Sequence, residues 1–285
     1  MILVCDSGST KADWKLAHQG VEIAAFSTIG LNPFFQSSES VGEVMLAVDV
    51  VAKHKEQVHS VKFYGAGCSH ESRNAIIVCG LKKVFAKAEI TVGHDLLAAA
   101  YATCNDEPGI ACILGTGSNS CFFDGTRVVE LNHGLGYILG DEGSGSYYGK
   151  KLLAYYFYNV MPEDLRLEFY KKFNVTKEAV LETVYFQPNV NVYLASFSKF
   201  LSEHSSHPWI INLVSKTMGE FMDVNVCNIP DYKKYPVHFI GSIAFHFAGI
   251  LKLESEIRHI KVGQIISKPI QNLLEYFLKK EKIRQ

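Results

Sequence analysis

The chain has 285 residues, of which 48% are hydrophobic and 20% charged, and its formal net charge is −1. This composition is typical of an ordinary soluble globular protein, and the length fits two domains of usual size. Because there is no excess of basic residues, nucleic acid and anionic membranes are excluded as expected partners.

The first half of the chain alternates between strand and helix patterns. Apolar periodicity predicts a strand from Ile2, strands at residues 12–17 and 21–27, a helical stretch near 38–54, a strand at 61–65, a helix near 71–84 and a strand at 89–92.

The second half repeats this order in an enlarged form. It predicts a strand from Ile110, strands at 120–123 and 127–131 joined by the Asp124-Gly125 hairpin signal, an all-helical stretch, a strand at 237–240, a helix at 244–257, a strand at 259–265 and a closing helix at 269–280. Both halves therefore read βββαβαβ plus a helix, which indicates an internal duplication. The polar residues 105–109 mark the boundary, so we predict domains at 1–107 and 108–285, the second with a helical insertion around 145–230.

A glycine turn rich in hydroxyl groups follows the first strand of each half. The two turns contain Asp6, Gly8, Ser9, Thr10 and Lys11 in the first half and Gly115, Thr116, Gly117 and Ser118 in the second. Glycine adopts positive φ and has no side chain, so successive backbone N–H groups can point at one anion. Two such turns in equivalent places predict a phosphate chain held from both sides. The Asp6 carboxylate, at a strand end, is suited to hold Mg²⁺ through water.

Asp95 closes a predicted strand and opens a predicted helix. One interpretation is that it caps the helix. The other is that it accepts a proton from a substrate hydroxyl, since α/β sheets bind their ligands at the carboxyl ends of strands. We expect the neighbouring His94 to point away from this position and to be structural.

Two further glycine segments suggest close approach of the backbone to a ligand. Residues 134–145 contain five glycines, more than helix capping requires. Gly241-Ser242 joins a strand to a helix, where bare backbone could support an adenine and a ribose.

The pattern of the cysteines predicts that the protein resides in a reducing compartment. The seven cysteines show no C-x-x-C spacing and fall mostly inside apolar patterns, so we expect buried, reduced thiols. The first predicted strand begins at Ile2 and no apolar run reaches about 18 residues, from which we expect no signal peptide and a cytoplasmic location.

Several motifs together resemble a known family. The segments DSGSTKADW, GHDLLAAA, ILGTGSNS, GLGYILGDEGSG and FIGSIA are similar to those of the sugar kinase, Hsp70 and actin superfamily. Within it, the chain resembles the BadF/BadG/BcrA/BcrD ATPase family, which includes the N-acetylglucosamine kinases. The resemblance implies an α/β fold of two duplicated ribonuclease H-like (actin-like ATPase) domains around a central nucleotide and substrate cleft, with a helical insertion in the second.

The resemblance also implies roles for particular residues. It makes residues 6–10 the first phosphate segment, 115–118 the second, and Gly241-Ser242 the adenosine segment. Asp95 matches the catalytic base, and the expected sugar contacts are Asn32, Asp95, Thr116 and Asp141. The implied ligands are ATP, Mg²⁺ and an amino sugar. Whether the protein forms a homodimer is left open at this point. The implied activity is phosphorylation of an amino sugar, with N-acetylglucosamine at its 6-hydroxyl as first choice and glucosamine, N-acetylmuramic acid or another hexose open.

Two other functions are open at this point. ATP-driven activators of acyl-CoA reductases and dehydratases belong to the same family and hold an iron–sulfur cluster with cysteines. Cys68 and Cys104 form the one pair that could be considered, and their surroundings in the sequence do not resemble a cluster site. A non-catalytic sugar sensor would be expected to lack Asp6 or Asp95, and both are present. The sequence therefore favours the kinase.

Overall fold

The computed structural model describes residues 1–131 and 134–284, which form two compact units. Unit 1 comprises Met1–Glu107, Phe123–Val128 and the C-terminal residues from Lys268, and unit 2 comprises Pro108–Phe122 and the described part of Val129–Ser267.

The elements follow one another along the chain as strands and helices of ordinary length. The strands are β1 (Ile2–Ser7), β2 (Lys11–His18), β3 (Val21–Ile29), β4 (Ser60–Gly65), β5 (Glu89–His94), β6 (Gly109–Leu114), β7 (Ser118–Phe123), β8 (Val128–Leu131), β9 (Pro236–Ile240) and β10 (Lys261–Ile266). The helices are α1 (Ser38–Leu46), α2 (Asp49–His54), α3 (Glu71–Val84), α4 (Asp95–Thr103), α5 (Gly136–Leu139), α6 (Gly145–Phe157), α7 (Glu163–Phe173), α8 (Lys177–Phe186), α9 (Val190–Ser196), α10 (Lys199–Glu203), α11 (Pro208–Asn225), α12 (Ser242–His246), α13 (Ala248–Ile257) and α14 (Ile270–Arg284). Short 3₁₀ helices occupy Lys55–Gln57 and Tyr232–Lys234.

Unit 1 is built on a five-stranded sheet of order β3-β2-β1-β4-β5. The β1, β4 and β5 strands are parallel, whereas β2 is antiparallel to both β1 and β3. Since side chains alternate between the faces of a strand, Leu3 and Cys5 pack into a core that includes α1 and α3 residues, whereas Ile2 and Val4 pack against α4 and α14. Both faces of the central strand β1 are thus buried, as its continuous apolar sequence requires.

Unit 2 contains a second five-stranded sheet, of order β10-β9-β6-β7-β8. Numbered within its own half of the chain, this order is the same as that of unit 1. The strand β9 is parallel to both β6 and β10. The two equivalent sheets confirm the predicted α/β class with duplicated actin-like domains.

Six consecutive helices, α6 to α11, follow one another in unit 2 between residues 145 and 225. They bury an aromatic cluster in which Phe169, Phe173, Phe197 and Phe200 contact one another. This agrees with the helical pattern of the sequence, in which apolar residues recur every three or four positions.

Three predicted helices differ from the observed ones. The stretch 38–54 is divided between α1 and α2, and the stretch 244–257 between α12 and α13. The closing helix α14 packs in unit 1, where Leu273 and Leu274 share a core with Ile2 and Val4. The predicted domain limits of 1–107 and 108–285 remain a prediction.

Within the described ranges, the helices are all too short or too polar to cross a membrane.

Candidate active site

The first glycine turn joins β1 to β2 at the carboxyl end of β1. Gly8 N–H donates to the Lys11 carbonyl over 2.9 Å, and Gly30 N–H donates to the Thr10 carbonyl over 3.0 Å. A Cβ atom at Gly30 would overlap the carbonyl oxygen of Gly8, so glycine allows the end of β3 to lie directly against the turn. Gly8 and Thr10 are exposed and Ser9 is partly exposed, so the turn is accessible to a ligand.

The Ser7 hydroxyl fixes the segment that follows β3. Ser7 is buried, and its Oγ accepts a hydrogen bond of 3.0 Å from Leu31 N–H. The next residue, Asn32, is also buried, and its Oδ1 accepts from Phe34 N–H over 3.0 Å. A Cβ atom at Gly67, which has φ of 84°, would come within 2.5 Å of this Oδ1. Asn32 is therefore held in one orientation beside the β4–α3 loop.

Asp6 and Asp95 lie at the carboxyl ends of two parallel strands, β1 and β5, which flank β4. In the register of the sheet, Asp6 pairs with Tyr64 and Tyr64 with Gly93, two residues before Asp95. Burial raises the pKa of Asp6 to about 7, and the negative charges of Asp95 and Asp13 act in the same direction, whereas Lys268 opposes them. The two carboxylates thus share one edge of the sheet, and a cation bound near them would offset their negative charge.

His94 occupies the N-cap position of α4, and Asp95 is the first residue of the helix. His94 Nδ1 lies 2.9 Å from Asp95 Oδ1. Leu96 N–H lies 2.9 Å from the same carboxylate oxygen and 3.3 Å from His94 Nδ1. The expectation that His94 points away from Asp95 is therefore wrong, because a capping side chain turns back over the first turn of its helix. The N-cap position thus belongs to His94, but Asp95 Oδ1 accepts an N–H of the first turn, so a structural role and a role towards substrate both stay open for Asp95.

The second glycine turn, between β6 and β7, contacts the start of α6 in unit 2. Gly145 N–H donates to the Gly115 carbonyl over 2.8 Å, and Ser146 N–H donates to the Thr116 carbonyl over 3.0 Å. Gly115 N–H donates to the Gly117 carbonyl over 3.0 Å, which closes the turn. A Cβ atom at Gly115 would meet no atom within 4 Å, so the described surroundings leave that side of the turn open.

The Gly241-Ser242 junction lies beside this turn. Gly241 has φ of 123°, and a Cβ atom there would overlap the carbonyl oxygen of Leu114, the residue before Gly115. Ser242 follows as the exposed first residue of α12. Unit 2 therefore brings together the two segments that the sequence predicts for phosphate and adenosine.

Asp141 also reaches the second turn. The backbone N–H of Ser118 donates to Asp141 Oδ1 over 3.4 Å, and Ser118 Oγ donates to the Glu142 carbonyl over 2.7 Å. Burial raises the pKa of Asp141, whereas the Ser118 N–H and the charge of Lys150 lower it. Asp141 has φ of 62°, a left-handed conformation that aspartate tolerates better than most residues.

The chain is similar over its whole length to a Porphyromonas gingivalis protein that is provisionally named N-acetylglucosamine kinase. The two sequences are 37% identical, the similarity covers 99% of this chain and 100% of the other, and the TM-score is 0.93. The chain belongs to the same family.

Two more distant structures share the fold. They are a protein of Chromobacterium violaceum, also provisionally named N-acetylglucosamine kinase (14% identity, 96% and 98% of the two chains, TM-score 0.61), and a ROK family glucokinase of Streptomyces griseus in complex with glucose and AMPPNP (14% identity, 96% and 97%, TM-score 0.56). At this identity they show the actin-like fold alone. No protein-family model matches the chain, and a comparison with curated proteins gives no match, so the BadF family remains a resemblance.

In this member of the family, the basic side chains of unit 1 include two that the sequence does not single out, Lys268 and Arg73. Lys11 and Lys268 form ion pairs of 2.8 and 2.9 Å with Asp13. The Lys11 ammonium is thereby directed along its own strand, β2. Arg73 donates to the Gly67 carbonyl over 3.0 Å and lies 4.5 Å from the Phe34 ring centre. Lys268 and Arg73 belong to no motif and are distant in sequence from the turns, so only the fold could reveal them.

Cys68 and Cys104 have the properties of buried structural thiols. Each is at most 5% exposed. Burial raises the pKa of Cys68 to about 12 and that of Cys104 to about 11, so both thiols stay protonated at neutral pH. Within residues 1–131 and 134–284, no group of three or more metal-binding side chains is found. His133, which directly precedes the glycine segment 134–145, lies outside the described residues.

Proposed function

We propose that the protein is an ATP-dependent kinase that transfers the γ-phosphoryl group of ATP to the 6-hydroxyl of N-acetylglucosamine. The observation that carries this proposal is the position of Asp6 and Asp95 at the carboxyl ends of parallel strands on either side of β4 in unit 1. Phosphoryl transfer needs one carboxylate for the metal and another for the acceptor hydroxyl. The name of the Porphyromonas gingivalis relative supports the choice of acceptor.

The residues of unit 1 fit a magnesium ion. Mg²⁺ in such sites uses one or two protein carboxylates, and water and phosphate oxygens complete its shell. Asp6 is partly exposed at the glycine turn. Burial and the charges of Asp95 and Asp13 raise the pKa of its carboxyl to about 7, and a metal ion bound there would favour the ionised form. When bound, the metal would neutralise negative charge that develops on the phosphates.

Backbone amides of the glycine segments would bind the nucleotide. In unit 1 we assign Gly8, Ser9, Thr10 and Lys11 to the phosphates, and in unit 2 we assign Gly115, Thr116, Gly117 and Ser118 to the phosphates and Gly241 and Ser242 to the adenosine. The exposure of Gly8 and Thr10 and the open side of Gly115 support these roles.

Asn32, Asp95, Thr116 and Asp141 would contact the sugar. Since Asn32 Oδ1 already accepts from Phe34 N–H, its amide nitrogen is the group that would donate to a sugar hydroxyl. Asp95 would accept the proton of the 6-hydroxyl as the new oxygen–phosphorus bond forms. In this proposal both substrates are small molecules. We also propose that the reaction takes place in the cytoplasm.

An ADP-release assay with Mg-ATP and a panel of amino sugars tests the proposal. We expect N-acetylglucosamine to stimulate ADP release most strongly, with glucosamine, N-acetylmuramic acid and glucose as comparisons. Mass spectrometry should find the phosphate on the 6-hydroxyl. ATP turnover that no sugar stimulates, but that a protein partner or an iron–sulfur cluster does, would contradict a kinase and favour an activator.

A further inference from the structure

We infer that His94 is a positioning residue for the reaction, and that it donates its Nδ1–H to Asp95 Oδ1 so that Oδ2 faces the acceptor hydroxyl. The inference rests on the proposed function, because it assigns a task to a neighbour of the proposed base. It concerns three groups at the start of α4: the His94 imidazole, the Asp95 carboxylate and the backbone N–H of Leu96.

The distances determine which atom carries the proton. Asp95 Oδ1 lies 2.9 Å from His94 Nδ1 and 2.9 Å from Leu96 N, whereas His94 Nδ1 lies 3.3 Å from Leu96 N. The Leu96 N–H therefore has its better acceptor in the carboxylate. An unprotonated Nδ1 would direct its lone pair at a carboxylate oxygen 2.9 Å away, which is repulsive, so the proton resides on Nδ1.

This arrangement engages one oxygen of the Asp95 carboxylate, Oδ1, in hydrogen bonds within the protein. The other oxygen, Oδ2, is left for the acceptor hydroxyl. Oδ1 accepts from two donors, the imidazole and the Leu96 amide, and both belong to the rigid junction of β5 and α4. The side-chain torsions of Asp95 are thereby fixed. During transfer, the acceptor hydroxyl would lose its proton to Oδ2 as its oxygen bonds to the γ-phosphorus and the bond between that phosphorus and the leaving ADP oxygen breaks. His94 keeps its own proton throughout.

The charges around the imidazole are consistent with this role. Burial lowers the pKa of His94, but the hydrogen bond and the charge of Asp95 raise it by more, and Arg73 on α3 opposes them. Among the described residues, the charge of Asp95 also acts on Cys68, whose thiol is protonated, and on Asp6 of β1.

Helix capping is the alternative role of His94, and substitutions can separate the two. Serine caps a helix well, but its Oγ occupies the position of the imidazole Cγ and stops short of Asp95 Oδ1. Asparagine also caps well, and its amide nitrogen can take the place of Nδ1. His94→Ser therefore offers a capping oxygen but no donor at the position of Nδ1, whereas His94→Asn offers a donor there.

We expect His94→Ser to lower kcat about 10- to 100-fold, as misplaced catalytic groups do, with unchanged KM for ATP and for the sugar and an unchanged Tm. His94→Asn should restore kcat to within about threefold of wild type. In an Asp95→Asn background, His94→Ser should lower kcat by less than about twofold, since a positioning residue has no effect without the group it positions.

The outcomes distinguish this inference from the proposed function. Near-normal kcat in Asp95→Asn would overturn the proposed base itself. A low kcat in Asp95→Asn together with a normal kcat in His94→Ser would overturn the role of His94 alone. A parallel loss of Tm and kcat in His94→Ser would also overturn the positioning role, because serine retains a capping oxygen and the loss of activity would then follow from a disturbed fold.

Discussion

At the scale of single residues, Asp6 is the carboxyl whose ionisation is most affected by its surroundings within the candidate site. Its pKa is raised to about 7, by burial first and then by Asp95 and Asp13. A group with a raised pKa binds a cation better as pH rises through that value, because the proton no longer competes. The enzyme should therefore bind Mg²⁺ more tightly as the pH rises from about 6 to 8.

Asp6→Asn removes this charge while keeping the shape of the side chain. We expect a higher Mg²⁺ concentration for half-maximal activity, and the difference from wild type should grow with pH over the same range. Sugar binding, measured by calorimetry without nucleotide, should change little. An identical Mg²⁺ requirement in both proteins would mean that Asp6 only forms the turn.

The position of Asp95 could be predicted from sequence, but the direction of His94 could not. A strand pattern followed by a helix pattern puts Asp95 at the carboxyl end of a strand, whatever its contacts. The direction of the preceding side chain depends on which residue holds the N-cap position. Histidine is not among the preferred capping residues, and so the sequence contains no signal that His94 occupies the N-cap position.

At the scale of elements, the junction of β9 with α12 depends on one glycine. Gly241→Ala would push a methyl group into the Leu114 carbonyl, and alanine is disfavoured at φ of 123°. We expect a loss of about 1–3 kcal/mol in the free energy of unfolding, since strained backbone costs this much. Urea unfolding measures it.

Gly115→Ala is the matched control, because its Cβ would meet no described atom within 4 Å and its φ lies outside the left-handed region. Its stability should stay within about 0.5 kcal/mol of wild type. Equal effects of the two substitutions would contradict the close approach of the two segments.

The pairing of β9 with β10 contains an imidazole in place of a ladder hydrogen bond. The register shifts between Val262 and Ile265, and there Gln264 N–H donates to Nδ1 of buried His238 over 3.0 Å. A Cβ atom at Gly263 would lie 2.6 Å from this ring, so glycine makes room for it. His238 must be unprotonated at Nδ1 to accept the bond.

This contact predicts a dependence of stability on pH. Burial lowers the pKa of His238, so below the unfolded value of about 6.5 the unfolded chain binds the proton more readily. Stability should fall as pH decreases from about 7 to 5. His238→Asn, whose Oδ1 can accept the same N–H without titrating, should flatten this part of the curve. Exposed His18→Asn is the control and should leave its shape unchanged.

Periodicity predicted most elements but not their interruptions. The helix at 71–84 is observed at the predicted bounds. The stretch 38–54 is interrupted at Val48, yet Met45 and Val51 on its two sides are both buried. The apolar pattern continues across the break, and so it contains no sign of the change in direction. The break at Phe247, which is itself buried, is hidden in the same way.

At the scale of the whole molecule, the chain returns to unit 1 at its end. Lys268 pairs with Asp13, and Lys280 with Asp106 over 2.8 Å. Asn272 donates to the Ala102 carbonyl over 3.0 Å. Element order alone assigns the closing helix to the second repeat, because it follows that repeat's last strand. The position of α14 depends on which apolar face it packs against. A single sequence does not indicate that this face lies near the start of the chain.

The packing of α14 leads to a prediction that separates the two units. Leu274 is 1% exposed, in a core with Ile2 and Val4, whereas Leu251 is fully buried in unit 2. Each leucine-to-alanine change should cost about 2–5 kcal/mol, because it removes buried methyl groups and leaves a cavity. Hydrogen exchange read by mass spectrometry should show Leu274→Ala reducing protection in β1 and α4, and Leu251→Ala reducing it in β6 and β9. Loss of protection confined to unit 2 after Leu274→Ala, or spread equally over both units, would contradict the assignment of α14 to unit 1.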